Sequence, residues 1–176
     1  GYFYIAIMAA SLLYGISQSV SSSLLVESSD KEKFWNNVNK SIKFSLIITI
    51  PGIILLIIFG KLILTIFNTD YATNATLTMI ILTMSSIPIV LINIFNTVRN
   101  SQNMVSSMIK MNIIVSVITI ILSISLIKIL NIEGVAISYL VANMVGALIV
   151  VSRIKSPKEF TLKLLNDIKN DVSYNL

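Results

Sequence analysis

The sequence predicts an all-α membrane protein whose chain crosses the bilayer five times. Of its 176 residues, 55% are hydrophobic and only 12% are charged, whereas a soluble domain carries about 25% charged residues. The charged residues also fall in short segments between long uncharged ones, as is typical of a chain whose solvent is lipid. A soluble helical bundle would instead show a polar face along each helix, and residues 47–59 show none.

Five uncharged or nearly uncharged segments are long enough to span a membrane. A bilayer core about 30 Å thick needs about 20 apolar residues of α-helix. One Lys or Asp at the bilayer centre would cost about 2.5–3.5 kcal/mol, so the scarcity of charge within these segments is informative. The predicted spans are residues 2–26, 41–67, 76–98, 108–130 and 134–152, and together they form one transmembrane bundle over residues 1–155.

The basic residues predict which end of the bundle faces the cytoplasm. Alternate segments, 27–43, 99–110 and 153–176, hold all but two of the 13 Lys and Arg residues. The other two, Lys61 and Lys128, lie in the intervening loops. By the positive-inside rule the basic segments are cytoplasmic, which predicts a multi-pass protein of the plasma membrane with its C-terminus inside. The amino terminus would then lie outside, which predicts an odd number of helices before it.

Residues 156–176 are predicted to form an amphipathic tail on the cytoplasmic surface of the membrane. Phe160, Leu164 and Ile168 recur at every fourth position, while basic residues take the other faces. Basic residues in such a helix meet anionic lipid headgroups. The positive charge of the chain therefore indicates membrane lipids as a partner, and not nucleic acid.

The residue types that are absent limit the chemistry of this chain. It contains no Cys and no His, so we predict no disulfide, no thiol nucleophile, no zinc site and no His-based acid–base chemistry within it. No charged residue falls at mid-membrane, where a proton or sodium relay would be expected. We predict no metal, no cofactor and no enzymatic activity, and an ion-driven cycle would need residues outside this chain.

Polar residues follow one face of the third span and one face of the fourth. Steps of three, four and seven keep these residues on one side of a helix. Helix packing and the lining of a polar cavity explain such a stripe equally well. If they line a cavity, the amides suit sugar hydroxyls and the guanidinium suits phosphate. The cavity candidates are Asn93, Asn96, Arg99, Asn112, Ser116 and Thr119.

Small residues and prolines mark further positions within the spans. The small residues of the first and fifth spans recur at spacing four, which favours close helix packing. Pro51 and Pro88 each remove a backbone hydrogen bond and are candidate hinges. The two stripes of small residues are Ser11, Gly15, Ser19 and Ser23 in the first span, and Ser138, Ala142 and Gly146 in the fifth.

Three short motifs are similar to those of one transporter superfamily. They are residues 1–6 (GYFYIA) with 21–28 (SSSLLVES), then residues 59–72 (FGKLILTIFNTDYA), then residues 131–138 (NIEGVAIS). Val26 stands where the superfamily's first motif has Pro, and Asn68 stands where Gly is common in the second. With these motifs the chain resembles the C-terminal half of polysaccharide (O-antigen or teichoic-acid type) flippases, within the multidrug/oligosaccharidyl-lipid/polysaccharide exporter superfamily.

The resemblance implies helices eight to twelve of a twelve-helix transporter with two six-helix lobes. The chain would then be part of one lobe, with a missing N-terminal lobe as its partner. Such transporters move a polyprenyl-linked oligosaccharide across the membrane by alternating access, for cell-surface polysaccharide synthesis. Two alternatives remain: a drug/cation antiporter of the same superfamily, and a structural or accessory membrane subunit without transport activity. A membrane enzyme is disfavoured because the acidic residues are scattered over both sides.

Overall fold

The computed structural model describes residues 1–26 and 31–154, and all the regular secondary structure in that part of the chain is helical. This confirms the prediction of an all-α membrane protein. The predicted tail, residues 156–176, lies outside the described residues. The helices are α1 (Tyr2–Val26), α2 (Lys31–Phe67), α3 (Thr69–Asn74), α4 (Thr76–Met84), α5 (Ser86–Ser101) and α6 (Val105–Ile154).

Helix α1 packs through a face of small residues. Ala6, Ala10, Ser17 and Ser21 are fully buried, and their spacing keeps them on one side of the helix. Small side chains let helix backbones approach closely. In a membrane this close packing drives helix association, because the hydrophobic effect does not favour helix contacts over lipid contacts. The opposite face is exposed and apolar, as a lipid-facing surface requires. The predicted stripe of Ser11, Gly15, Ser19 and Ser23 is exposed in the described chain, so its interpretation as the packing face of the first span is wrong. The small residues that pack lie on a neighbouring face of α1.

Helix α2 buries a row of hydroxyl residues in the same way. Ser41, Ser45 and Thr49 are spaced by four and are almost fully buried. Their hydroxyl groups have no hydrogen-bond partner among the described residues. Further along the helix, a Cβ at Gly52 would lie 2.5 Å from the Leu13 side chain. Since small residues on α2 meet the buried face of α1, the two helices form a closely packed pair.

The third predicted span is the bent pair α4–α5, which lies at the centre of the bundle. The two helices meet at Ser85 with a bend of 40°. The pair contacts α1, α2 and α6, and most side chains of residues 78–99 are buried. The large side chains of this pair that remain exposed are apolar, namely Leu77, Met84 and Ile87, so its polar residues lie mainly on the sides that contact other helices.

Helix α6 is a hairpin of two antiparallel arms, which turns at Asn131. This residue has φ 50° and ψ −134°, outside the helical region. A Cβ at Gly146 would lie 2.8 Å from the Val115 side chain, although these residues would be about 46 Å apart along one straight helix. Likewise a Cβ at Gly134 would lie 2.5 Å from the Leu126 carbonyl oxygen. The arms, residues 105–130 and 132–154, correspond to the fourth and fifth predicted spans.

Three helices of the described chain, α1, α2 and α6, are long and apolar enough to cross a membrane, and the bent pair α4–α5 makes a fourth candidate. Division of α6 at Asn131 gives one apolar segment for each predicted span. That each of these segments crosses the bilayer separately stays a prediction, as do the limits of the spans and the twelve-helix architecture.

The packing assigns residues to the two ends of the bundle. At one end the rings of Tyr2 and Tyr71 meet edge to face at 5.3 Å. At the other end Val38 of α2 and Val98 of α5 share a buried apolar cluster. The nearby basic residues Lys40, Lys43, Arg99 and Lys110 therefore lie at that end. This arrangement agrees with an up-and-down bundle. Which end faces the cytoplasm stays a prediction from the positive-inside rule.

The two hinge candidates lie in different surroundings. Pro51 is exposed within α2, which continues as helix to Phe67. Pro88 is buried, three residues after the bend at Ser85. Proline lacks the N–H that would otherwise bond the carbonyl four residues earlier, so a bend just before Pro88 has a physical cause. A hinge role stays a prediction for both residues.

Candidate functional site

The structure joins the polar stripes of the third and fourth spans by one direct contact. The side-chain amide of Asn96 on α5 donates a hydrogen bond to the Asn112 side-chain oxygen on α6, at 3.1 Å. The side-chain oxygen of Asn96 is itself buried and has no partner among the described residues. Asn112 is exposed. This amide pair therefore reaches the surface through Asn112, while the Asn96 oxygen is shielded from it.

Asn93 lies about one turn before Asn96 on α5 and faces α1. Its side-chain amide donates to the Ser17 hydroxyl at 3.5 Å. One turn later, the Thr97 hydroxyl bonds the Asn93 backbone carbonyl at 2.9 Å. The Thr97 bond lies within α5, whereas the Ser17 contact is one of helix packing and places Asn93 at the interface of α1 and α5.

Arg99 lies in the last turn of α5. The residue is 8% exposed, and its guanidinium carbon lies 5.2 Å from the centre of the Phe95 ring. One guanidinium nitrogen is 3.2 Å from the Met104 sulfur, and the Arg99 carbonyl accepts from the Met104 backbone N–H at 2.9 Å. Stacking on an aromatic face is a favourable environment for a guanidinium. Arg99 is thus held against the turn that links α5 to α6.

Ser116 and Thr119 do not meet the other candidates in a closed cavity. Ser116 is exposed. The Thr119 hydroxyl donates to the Val115 carbonyl of its own helix at 2.8 Å, a bond that satisfies the hydroxyl locally. Together with Asn112 and Asn96, these residues form an outward polar strip on the first arm of α6 and the adjoining part of α5. In the described chain the candidates therefore divide between this strip, the α1–α5 contact and the α5–α6 turn.

A cleft of about 630 Å³ lies elsewhere, between the second half of α1 and the first half of α2. None of the predicted cavity residues lines it. Two lysines and two serines lie along an otherwise apolar wall. The sequence contained both signals, but the serines belonged to a stripe interpreted as packing and the lysines served only to predict orientation. The lining residues are Ser19, Val20, Ser23, Lys40, Lys43, Phe44 and Ile47.

Tyrosines that the sequence did not single out hold the bend in the central helix. The Tyr14 hydroxyl on α1 donates to the Leu82 carbonyl of α4 at 2.5 Å. This carbonyl lies in the last turn of α4, where the regular helical bonding ends. The Tyr14 ring lies 6.2 Å from the Tyr139 ring on the second arm of α6. Three elements therefore meet at the bend.

The charged side chains of the described residues are unevenly distributed between the two ends of the bundle, and Lys61 and Lys128 share the end that carries the acidic ones. The acidic side chains that the structure describes, Asp70 and Glu133, lie at the end of the molecule where Tyr2 and Tyr71 meet. Lys40, Lys110 and Arg99 lie at the opposite end. Residues 1–26 and 31–154 contain no group of acidic side chains that could hold a metal ion. The long apolar helices of this fold define a multi-pass membrane protein.

The comparison with protein families identifies the family of this membrane protein. The family described as "Lipid II flippase MurJ" matches residues 1–172, and the chain belongs to this family. It is a family of flippases and not of enzymes, so the prediction of a transporter-like protein without enzymatic activity is confirmed. No curated protein and no solved structure matches the chain.

The family match also sets the limits of the resemblance seen in the sequence. It confirms a flippase of lipid-linked molecules in the expected superfamily, and it confirms a multi-pass membrane protein. It gives no support to the polysaccharide branch, because the matching family is named for lipid II, a precursor of peptidoglycan. The short superfamily motifs did not contain the information needed to separate these branches.

Proposed function

We propose that this chain is part of a flippase that carries lipid II, the lipid-linked precursor of peptidoglycan, across the plasma membrane. The match of residues 1–172 to the lipid II flippase family carries the proposal. Translocation proceeds by alternating access, in which one lobe moves against the other around the bound cargo. The working transporter in this proposal includes an N-terminal lobe from outside this chain, and its C-terminus is cytoplasmic.

Two features of the described residues support a part in such a cycle. The first is the polar strip, where the exposed Asn112 accepts a hydrogen bond from the Asn96 side-chain amide and presents its own amide at the surface. Amides in this position suit the hydroxyl and amide groups of a glycan headgroup. The second is the bend at Ser85, which divides the central helix next to Pro88 and gives the lobe a place to flex.

Transport by the complete protein tests this proposal. The full reading frame that contains this chain is expressed in bacteria depleted of their own lipid II flippase, and labelled lipid II on the outer leaflet is measured. We expect surface lipid II to return with the complete protein. We expect at least a tenfold slower return for N96A combined with N112A, since a lost pair of polar contacts costs about 1.4 kcal/mol or more. Ser125→Ala, an exposed change on the same arm of α6, serves as the control.

The outcomes separate the cargo alternatives. Return of surface lipid II supports the proposal. If the complete protein fails with lipid II but restores export of a polyprenyl-linked polysaccharide unit, the polysaccharide branch is correct. If the protein is present in the membrane and moves neither cargo, the accessory-subunit hypothesis replaces the transport hypothesis.

A further inference from the structure

The cleft between α1 and α2 has the character of a site for an amphiphilic anion. Lys40 and Lys43 are three residues apart, so both side chains leave the same face of α2, and both line the cleft. Ser19 and Ser23 are four residues apart and line the facing wall on α1. The two ammonium groups and the two hydroxyls can all donate hydrogen bonds to a phosphate, and none of the described residues that line the cleft is acidic.

The remainder of the cleft is apolar and exposed. Phe44 is 50% exposed and Ile47 is 66% exposed, and both continue the wall away from the lysines along α2. Val20 lies opposite on α1. The site therefore has one cationic end and one hydrocarbon trough, a combination that fits a single molecule with a phosphate at one end and an acyl chain at the other. Its volume of about 630 Å³ falls in the range of ordinary ligand sites, about 300–1,000 Å³.

The position of the cleft in the bundle indicates the source of that molecule. The lysines lie at the end of the bundle that also carries Arg99 and Lys110, where a membrane leaflet presents its headgroups. Juxtamembrane lysines attract anionic lipids by about 1 kcal/mol each. A bilayer supplies anionic phospholipids at high local concentration directly beside this opening.

We propose that the α1–α2 cleft binds one anionic phospholipid, with its phosphate between Lys40 and Lys43 and an acyl chain along Phe44 and Ile47. The bound lipid fills the gap between the two helices at this end. The proposal does not depend on the identity of the transported cargo, since none of the residues of the polar strip lines the cleft.

Lipid retention by the full chain tests the site. The purified protein is titrated with phosphatidylglycerol or with phosphatidylcholine, and the bound lipids are counted by native mass spectrometry. We expect phosphatidylglycerol to be retained as one tightly bound molecule, and phosphatidylcholine to be retained far more weakly. K40Q combined with K43Q should weaken phosphatidylglycerol binding roughly 30-fold, from two lysines at about 1 kcal/mol each.

Two further variants distinguish a built site from diffuse charge attraction. K61Q combined with K128Q removes the same charge at the other end of the bundle and should change binding less than threefold. Val20→Phe keeps all four polar groups but fills the trough, and it should weaken binding at least tenfold. Far-UV circular dichroism checks that each variant keeps its helical content.

Five results would overturn the proposal. Equal binding of the two phospholipids would show that charge does not select the occupant. An equal loss from the two lysine pairs, or full binding by the Val20→Phe protein, would show diffuse attraction to the whole surface. Displacement of phosphatidylglycerol by a polyprenyl diphosphate at one tenth of its concentration would assign the cleft to the transported cargo. Displacement by a tenfold excess of inorganic phosphate would assign it to free phosphate.

Discussion

The hairpin of α6 depends on the absence of a side chain at Gly134. A Cβ there would lie 2.5 Å from the Leu126 carbonyl oxygen and 2.7 Å from its carbonyl carbon. Contacts of a Cβ below 3.0 Å essentially do not occur, and these partners are backbone atoms that cannot rotate away. In the Gly134→Ala protein the two arms must therefore separate by at least about 0.5 Å, a gap that forfeits a quarter or more of each dispersion contact across the hairpin.

This separation of the arms sets the expected loss in the free energy of unfolding of the Gly134→Ala protein. Overpacking of a closely packed interior costs about 1–3 kcal/mol, and contact with rigid backbone places Gly134→Ala in the middle of that range, at about 2 kcal/mol. Gly15 is the matched control, because a Cβ at this position of α1 meets nothing within 4 Å. Since alanine is favoured over glycine in a helix, Gly15→Ala should leave stability unchanged or raise it by up to about 1 kcal/mol.

The two variants are compared by equilibrium unfolding in detergent micelles. The purified proteins are titrated with a denaturing detergent, and the helical content is followed by far-UV circular dichroism. We expect the Gly134→Ala protein to be less stable than the Gly15→Ala protein by about 2–3 kcal/mol. If the two are equally stable, the close approach of the two arms is wrong, and α6 does not fold back tightly at Asn131.

Two further predictions concern contacts between helices. Tyr14→Phe removes the hydroxyl that bonds the Leu82 carbonyl and should lower the free energy of unfolding by about 0.6–1 kcal/mol, as measured by the same titration. Because the chain contains no cysteine, a pair introduced as M111C and V150C reports on α6 alone. Both residues belong to one buried cluster, so an oxidant should join the two arms in a disulfide, and this is measured as a mobility shift after cleavage of the chain between the arms.

Exposed positions supply the controls for both predictions. Tyr4→Phe removes a hydroxyl from a side chain that is 65% exposed, so stability should not change measurably. A pair introduced as I120C and V150C places one thiol on a side chain that is 57% exposed, and this pair should stay reduced. Equal loss of stability in the two tyrosine variants would contradict the role of Tyr14 at the bend. Equal oxidation of the two cysteine pairs would contradict the hairpin register.

The sequence by itself determined the class of the protein and the positions of its apolar segments. Long uncharged stretches have one solution in lipid, a helix whose backbone bonds are satisfied internally. For that reason the predicted segment 76–98 is found as the pair α4–α5, and the predicted gap between residues 130 and 134 coincides with the turn at Asn131. The short motifs indicated the superfamily, and two of them, residues 59–72 and 131–138, lie at a helix end and at the turn of α6.

The tertiary structure alone decided which polar residues meet. The stripe containing Asn93 and Asn96 was correctly placed on one helix, but the two amides face different neighbours, Ser17 of α1 and Asn112 of α6. The cleft is lined by residues of both α1 and α2, so the sequence pattern of either helix alone could not predict it. Periodicity within a helix specifies a face but not the partner of that face. The partner depends on how the helices pack, and small residues allow several packings of similar energy.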